Sequence, residues 1–353
     1  MPQNVLTRLV ESGRGCIGCF ACEAVCEHGS VLMVLDDQGC CRATIRPETC
    51  ISCGRCSDAC PQLSCAPVGE ESPVCFAIRT GTAGVVSALF DWIASRGGSI
   101  CVPVFDEEMH PVYALVEDKS VLDRMADPRY VPSEMRGIYS AIKEKVDGGK
   151  DVLFMGPPCH VAAVRNHLGG DGHLYAADFV CKGRPTGRIC RDRLSELSGQ
   201  GDLKGLSFNP EGSSYGSSVA TYADGTRKAT ACDGYVRACS ESLIVDGACY
   251  GCGFAGVPRH GDISIGDLQG AVRILNDVDD GDRLCAVLCN TPKGEEMVAT
   301  IRRAAGYFRP IPLDFIAENG GLGLSGPVNP YRDRFFGMVG RGRTVSESAG
   351  YCL

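Results

Sequence analysis

The chain has 353 residues, of which 44% are hydrophobic and 22% charged, the balance of an ordinary globular protein with room for two or three domains. A net charge of −8 without any basic run argues against a nucleic-acid partner, and no stretch approaches the roughly 18 apolar residues of a membrane span. The outlying number is 23 cysteines; because Met1 to Gly15 lacks the apolar core of a secretory signal, a reducing cytoplasm, that of an anaerobe, is expected rather than a disulfide scaffold.

In chain order the first feature is a pair of cysteine runs. Cys16, Cys19, Cys22 and Cys26 repeat the spacing of Cys50, Cys53, Cys56 and Cys60, and Pro61 closes the second run. Each is C-x2-C-x2-C-x3-C, which wraps three thiolates round one face of a cubane and sends the fourth to its neighbour. One [4Fe-4S] cluster is thus expected on Cys16, Cys19, Cys22 and Cys60, the other on Cys50, Cys53, Cys56 and Cys26. Zinc, the alternative, usually takes one set of four ligands as C-x2-C pairs across a long gap. Between the runs, Val31 to Leu35 and Cys41 to Ile45 flank Asp36-Asp37-Gln38-Gly39 and predict a β-hairpin, with Cys40 and Cys41 structural. Gln62 to Pro73 is expected to be a linker.

Helices and strands then alternate. The pattern predicts helices over 83–96, 136–146, 161–168, 185–197 and 295–305, strands over 100–105, 151–155, 174–180, 262–265 and 283–289, and a hairpin over 217–230 through Asp224-Gly225. The tail from Gly320 onward reads as irregular. Together these predict an α+β ferredoxin-like two-cluster domain (1–72) followed by an α/β domain with a mostly parallel sheet (73–353).

Cys159 and Cys181 each follow a predicted strand and precede a helix, so topology brings both to the rim where parallel strands end and ligands bind. Cys249-Tyr-Gly-Cys252 supplies a C-x2-C pair to meet them. On spacing alone this is a third cluster, a zinc site or a thiol redox pair.

Pro157-Pro158-Cys159-His160, Val180-Cys181-Lys182-Gly183 and Cys249-x2-Cys252 followed by Gly261-Asp262-Ile263-Ser264-Ile265-Gly266-Asp267 resemble the coenzyme F420 hydrogenase/dehydrogenase β-subunit family. So do Asp127-Pro-Arg-Tyr130-Val-Pro-Ser133 and Asn329-Pro-Tyr-Arg332-Asp-Arg-Phe335-Phe336, and the ferredoxin front end is common among its bacterial members. The resemblance implies a third [4Fe-4S] cluster on Cys159, Cys181, Cys249 and Cys252, lying near FAD. The chain departs from the family at His160, at Thr82-Ala83-Gly84, at Arg129-Tyr130 and at Leu268-Gln269-Gly270, positions that would contact flavin or substrate.

Gly81-Thr82-Ala83-Gly84 before a helix could seat the FAD pyrophosphate, or could simply be a loop. Arg129 and Tyr130 read as contacts to FAD or an anionic substrate, or as surface residues. Asp262 and Asp267 flank a strand, as cofactor-side carboxylates or as turn caps. His160 reads as a proton donor to reduced flavin or substrate, or as a hydrogen-bond partner of the site. Gly321-Leu-Gly323-Leu-Ser-Gly326 matches G-x-G-x-x-G only formally, since Pro327 and Pro330 stand where its helix should begin. Cys65, Cys75, Cys101, Cys190, Cys232, Cys239, Cys285, Cys289 and Cys352 have no ligand spacing and are expected as buried hydrophobes or inert thiols.

The expectation is an oxidoreductase passing electrons between a ferredoxin-type or F420-type carrier and a small-molecule substrate through [4Fe-4S] clusters and FAD. A non-catalytic electron-transfer subunit and a zinc-organised binding module are the competing classes.

Overall fold

The computed structural model describes residues 4–79, 81–170, 172–210, 215–268, 273–279, 284–323 and 326–353, without the side chains of 81, 82, 319 and 320. Gln269 and Gly270, Arg283, Leu324 and Ser325 lie outside the described residues, as does the side chain of Thr82.

The N-terminal segment holds α1 (Val5–Glu11), α2 (Ala21–Ala24), β1 (Val31–Leu35), β2 (Cys41–Ile45) and α3 (Arg55–Asp58). β1 and β2 pair antiparallel from Val31↔Ile45 to Leu35↔Cys41, the expected hairpin. Both short helices start after a left-handed residue, Phe20 and Gly54, so the backbone turns sharply inside each cysteine run. The 62–73 segment has no helix or strand but is fastened: Val68 and Gly69 donate to the Arg259 carbonyl at 3.0 Å, and Glu70 to that of Asn290 at 3.3 Å.

The body is built on β3 (Val74–Ile78), α4 (Gly81–Ser95), β4 (Ser99–Phe105), β5 (Pro111–Val116), α5 (Ile138–Asp147), β6 (Val152–Gly156), α6 (Pro158–Leu168), β7 (Leu174–Phe179) and α7 (Gly187–Ser198). There follow β8 (Leu203–Phe208), β9 (Ser218–Tyr222), β10 (Arg227–Thr230), α8 (Gly234–Ser240), β11 (Ile263–Leu268), β12 (Leu284–Cys289), α9 (Pro292–Ala304), β13 (Phe308–Ile311), α10 (Leu313–Gly320), α11 (Arg332–Val339) and α12 (Val345–Cys352). Eight strands form the central sheet in the order β13-β3-β12-β11-β7-β6-β4-β5. β4, β6, β7 and β11 pair parallel, and β3 shares their direction because it is antiparallel to β12, itself antiparallel to β11. The expected parallel sheet is therefore a parallel centre with antiparallel margins. β4, β6 and β7 are buried along their whole length, which explains their mostly apolar sequences, broken only by Ser99 and Asp178.

α4 and α9 cover one face through Val86, Leu89, Ile93, Met297 and Ile301. On the other face one apolar cluster runs from Val5, Leu9, Phe20 and Met33 into Tyr139, Ile142, Phe154 and Val161, so the front segment and the body share a core. Of the three-stranded sheet β10-β9-β8, β8 and β9 pack with α7, α8, α11 and α12 in a separate cluster, while β10 is exposed. The tail expected to be irregular thus carries two helices, α11 and α12. α12 starts at a capping box in which Thr344 and Glu347 bond each other's backbone N–H, a signal visible in the sequence. α9 begins at Thr291-Pro292, three residues before the periodicity suggested, because proline at the first helical position loses no hydrogen bond.

Candidate iron–sulfur centres

The two runs fold so that their cysteines come together in crossed sets. Cys26, Cys50, Cys53 and Cys56 line one pocket together with Ile51, Ser30 and Val31. Cys53 and Ile51 are exposed there. Cys19, Cys22 and Cys60 are buried and Cys16 half-buried. Burial, then the neighbouring Cys22, Cys60 and Cys16, holds the Cys19 thiol well above its ordinary pKa. Burial, then Cys16, Cys60 and Cys56, does the same for Cys22. These mutual influences make Cys16, Cys19, Cys22 and Cys60 electrostatic neighbours, with Cys56 also acting on Cys22 and Cys60. Cys26 differs: burial alone would raise it, but the backbone N–H groups of Val31, Ser30 and His28 lower it on balance, with Ser30 N–H 3.3 Å from Sγ.

The third set meets as well. Cys159 sits in the first turn of α6, Cys181 follows β7, and both line one pocket with Cys249 and Cys252. Burial raises the thiols of Cys159, Cys181 and Cys252, and pushes Cys249 up to about 12. Backbone donors already face the sulfurs: Gly183 N–H to Cys181 Sγ at 3.4 Å, Arg184 N–H to Cys249 Sγ at 3.5 Å and Phe254 N–H to Cys252 Sγ at 3.4 Å. Among the described residues no three His, Cys, Asp or Glu side chains are arranged to hold a single ion. A cubane's thiolates sit on separate irons, whereas the sulfurs of a zinc site all lie ~2.3 Å from one centre. Four thiols in a shared pocket and N–H groups directed at sulfur fit [4Fe-4S] clusters.

Residues with no motif hold the third set in place. Arg259, fully buried, donates to Asp178 Oδ1 at 2.5 Å and to the carbonyls of Phe254, Ala255 and Gly256. This ties the Cys252 loop to the end of β7. Arg42 of β2 donates to the Cys16 carbonyl at 2.6 Å and to both carboxylate oxygens of Asp246, whose backbone C=O accepts from Cys249 N–H. Against burial, Arg42 and Arg184 hold Asp246 below the usual carboxylate range. Arg184 is buried in the third pocket and donates to the Ile17 carbonyl at 2.5 Å and to His160 Nε2 at 2.9 Å. An arginine can only donate, so Nε2 accepts and the proton of His160 lies on Nδ1, 3.0 Å from the Tyr113 hydroxyl. Burial, then the Arg184 charge, holds the His160 pKa well below its ordinary value.

The expected flavin contacts are only partly gathered on one rim. α4 begins at Gly81, beyond the end of β3, on the edge where β11, β7 and β6 also end. Asp267 lies inside β11 rather than beside it and pairs with Arg129 at 2.7 Å, while Asp127 takes the rest of that guanidinium. Tyr130 is buried, its hydroxyl accepting from Asn209 at 3.0 Å. Asp262 is buried at the opposite end of β11, accepting from Ala176 N–H and Thr291 and paired with Arg165 at 3.0 Å. The α4 terminus and the Arg129–Asp267 pair therefore share the rim with Cys159 and Cys181, whereas Asp262 does not.

Residues 15–63 match the family model of the 4Fe-4S dicluster domain. Residues 149–312 match the family model for the C terminus of the coenzyme F420 hydrogenase/dehydrogenase beta subunit. One chain thus carries a segment similar to a 4Fe-4S dicluster domain and a later one similar to the C terminus of that beta subunit. Over those residues the chain is similar to iron–sulfur redox proteins of that family. No curated protein matches the chain. No helix among the described residues is long and apolar enough to cross a membrane. Of the residues that organise this F420 hydrogenase/dehydrogenase region, Arg42, Arg184, Asp246 and Arg259 carry no spacing signal, because each acts across a long sequence separation.

Proposed function

We propose that the protein is an oxidoreductase that takes electrons from a one-electron carrier, a low-potential ferredoxin, at its surface and delivers them inward through three [4Fe-4S] sites to FAD and a small-molecule substrate. Bound clusters supply one-electron transfer, and a flavin exchanges one-electron for two-electron chemistry. The ligands assigned are Cys26, Cys50, Cys53 and Cys56 outermost, then Cys16, Cys19, Cys22 and Cys60, then Cys159, Cys181, Cys249 and Cys252. The observation that carries this reading is the order in space. Cys53 is exposed, Cys19 is 6% exposed, and Ile17, inside the first run, also lines the third pocket.

The residues of the chain grade the path. Ile51 and Cys53 present the outer site to a carrier. Cys19, Cys22 and Cys60 keep the middle site dry, and low dielectric strengthens every charge beside it. The rim formed by the α4 N-terminus and the Arg129–Asp267 pair is where FAD is assigned, with the helix end supplying free N–H groups to a pyrophosphate. Tyr130 and Asp262 are occupied inside the protein and serve the frame. His160, neutral and accepting from Arg184, is assigned to positioning rather than proton donation. An F420-type hydride donor would enter from the flavin end and drive the same path in reverse.

The test is anaerobic purification followed by iron, sulfide, zinc and flavin analysis, then reduction with ferredoxin or reduced F420. About twelve irons and one flavin per chain are expected. Iron without flavin would leave an electron-transfer subunit; zinc in place of iron would overturn the reading.

A further inference from the structure

Arg184 is a buried charged side chain that touches both the Cys16–Ile17 loop and the third cysteine set. Its side chain is buried and lines the pocket of Cys159, Cys181, Cys249 and Cys252, yet one guanidinium nitrogen donates at 2.5 Å to the carbonyl of Ile17, next to Cys16. A second nitrogen is used by His160, and the backbone N–H of Arg184 faces Cys249 Sγ. The third nitrogen, Nε, is buried without a hydrogen-bond partner. The nearest carboxylate, Asp246, stands 3.9 Å away and spends both oxygens on Arg42, at 2.6 and 3.0 Å. A buried cation is costly unless an anion compensates it. Here the protein compensates only in part, and what remains faces four thiolate positions.

We propose that Arg184 is a positioning and electrostatic residue for electron passage between the first and third sites. It holds the Cys16–Ile17 loop against the third pocket, and its charge stabilises the additional negative charge there when an electron arrives. One electron leaves the first site as one arrives at the third. No proton moves with it at Arg184, because the guanidinium stays charged. Charge and hydrogen bonds near cluster sulfur are established determinants of cluster potential, and the free Nε–H is a donor available to such a sulfur. The inference rests on the three-cluster reading above.

The test is a redox titration of the anaerobic, cluster-loaded full chain followed by electron paramagnetic resonance. The signal of the third site is the one lost in Cys252→Ser. Arg184→Gln should shift that midpoint to lower potential with the iron content unchanged, and Arg184→Lys should restore most of the shift. Asp246→Asn should move it the other way, because Arg184 is then less compensated. Shifts of opposite sign support the proposal. A midpoint unmoved in Arg184→Gln, or moved in the same direction by both substitutions, overturns it. If Arg184→Gln loses the third site's iron, Asp246→Asn decides: a midpoint that stays or falls overturns the proposal. If Cys252→Ser removes no signal and no iron, the three-cluster reading fails and takes this inference with it.

Discussion

Arg42 and Asp246 form a two-pronged ion pair, 2.6 and 3.0 Å, between the hairpin of the dicluster segment and the turn that leads into Cys249. Asp246 is nearly fully buried, with 3% of its side chain exposed, against 25% for Arg42. Removing the arginine strands a buried carboxylate, whereas removing both partners would not. Arg42→Met should therefore lower the apparent stability by about 2–3 kcal/mol, with the double variant Arg42→Met, Asp246→Leu closer to wild type. Anaerobic denaturant titration of the single and double variants measures this, and equal losses would refute the pairing as the source.

The crossed arrangement makes a pairwise prediction. Cys60→Ser should perturb the same spectroscopic signal as Cys22→Ser, although Cys60 stands in the other run. Cys26→Ser should act on the signal of Cys50→Ser. Electron paramagnetic resonance of the reduced variants, with iron counts, sorts the cysteines into sets. If Cys60 grouped with Cys53, the ligand assignment would be wrong.

At the tip of the same hairpin, Arg188 N–H of α7 donates to the Gln38 carbonyl at 2.9 Å, and Arg332 of α11 holds the Gln38 side chain at 2.8 Å. The approach is so close that a Cβ on Gly187 would overlap the Gly39 carbonyl oxygen. Because the obstacle is backbone, no rotamer change relieves it. Gly187→Ala is expected to cost about 2–3 kcal/mol, more than most single substitutions, while leaving α7 itself intact. Thermal unfolding compared with Gly350→Ala, where a Cβ meets open space, checks it.

His260 provides a pH dependence. Burial first, and then Arg259 and Arg165, lower its pKa to about 4, although Asp178 acts to raise it; Cys65 Sγ lies 3.6 Å from its ring. The folded protein thus takes up this proton later than the unfolded chain, whose histidine titrates near ~6.5. Its contribution to stability is complete above that value and declines as the pH falls towards 4, by up to about 3 kcal/mol. Plotted from pH 7 to pH 4, the stability of His260→Gln should fall less steeply than that of wild type. Parallel slopes would rule out His260 as the titrating group.

The reasons some features were readable and others hidden are physical. Cluster ligation demands fixed local spacings, so the two N-terminal runs could be paired from the sequence, whereas Cys159, Cys181, Cys249 and Cys252, which line one pocket, were grouped by resemblance rather than by spacing. The hairpin was equally local. β3, β5 and β8 escaped notice because their burial alternates or is partial and their pairing partners lie far along the chain. The helices of the tail are fixed by caps and by packing against α7 and α8, which periodicity does not report. Arg184 and Asp246 looked like ordinary loop charges, since their roles exist only once Ile17 and Arg42 are brought beside them.

The uneven cover over the three cysteine sets bears on how the molecule should age. Oxygen reaches Cys53 directly but must cross packed side chains to reach Cys19, so damage in air should advance from outside inward. On the proposed path, a preparation exposed briefly would lose its docking end before its interior, remaining coloured while becoming deaf to its electron carrier.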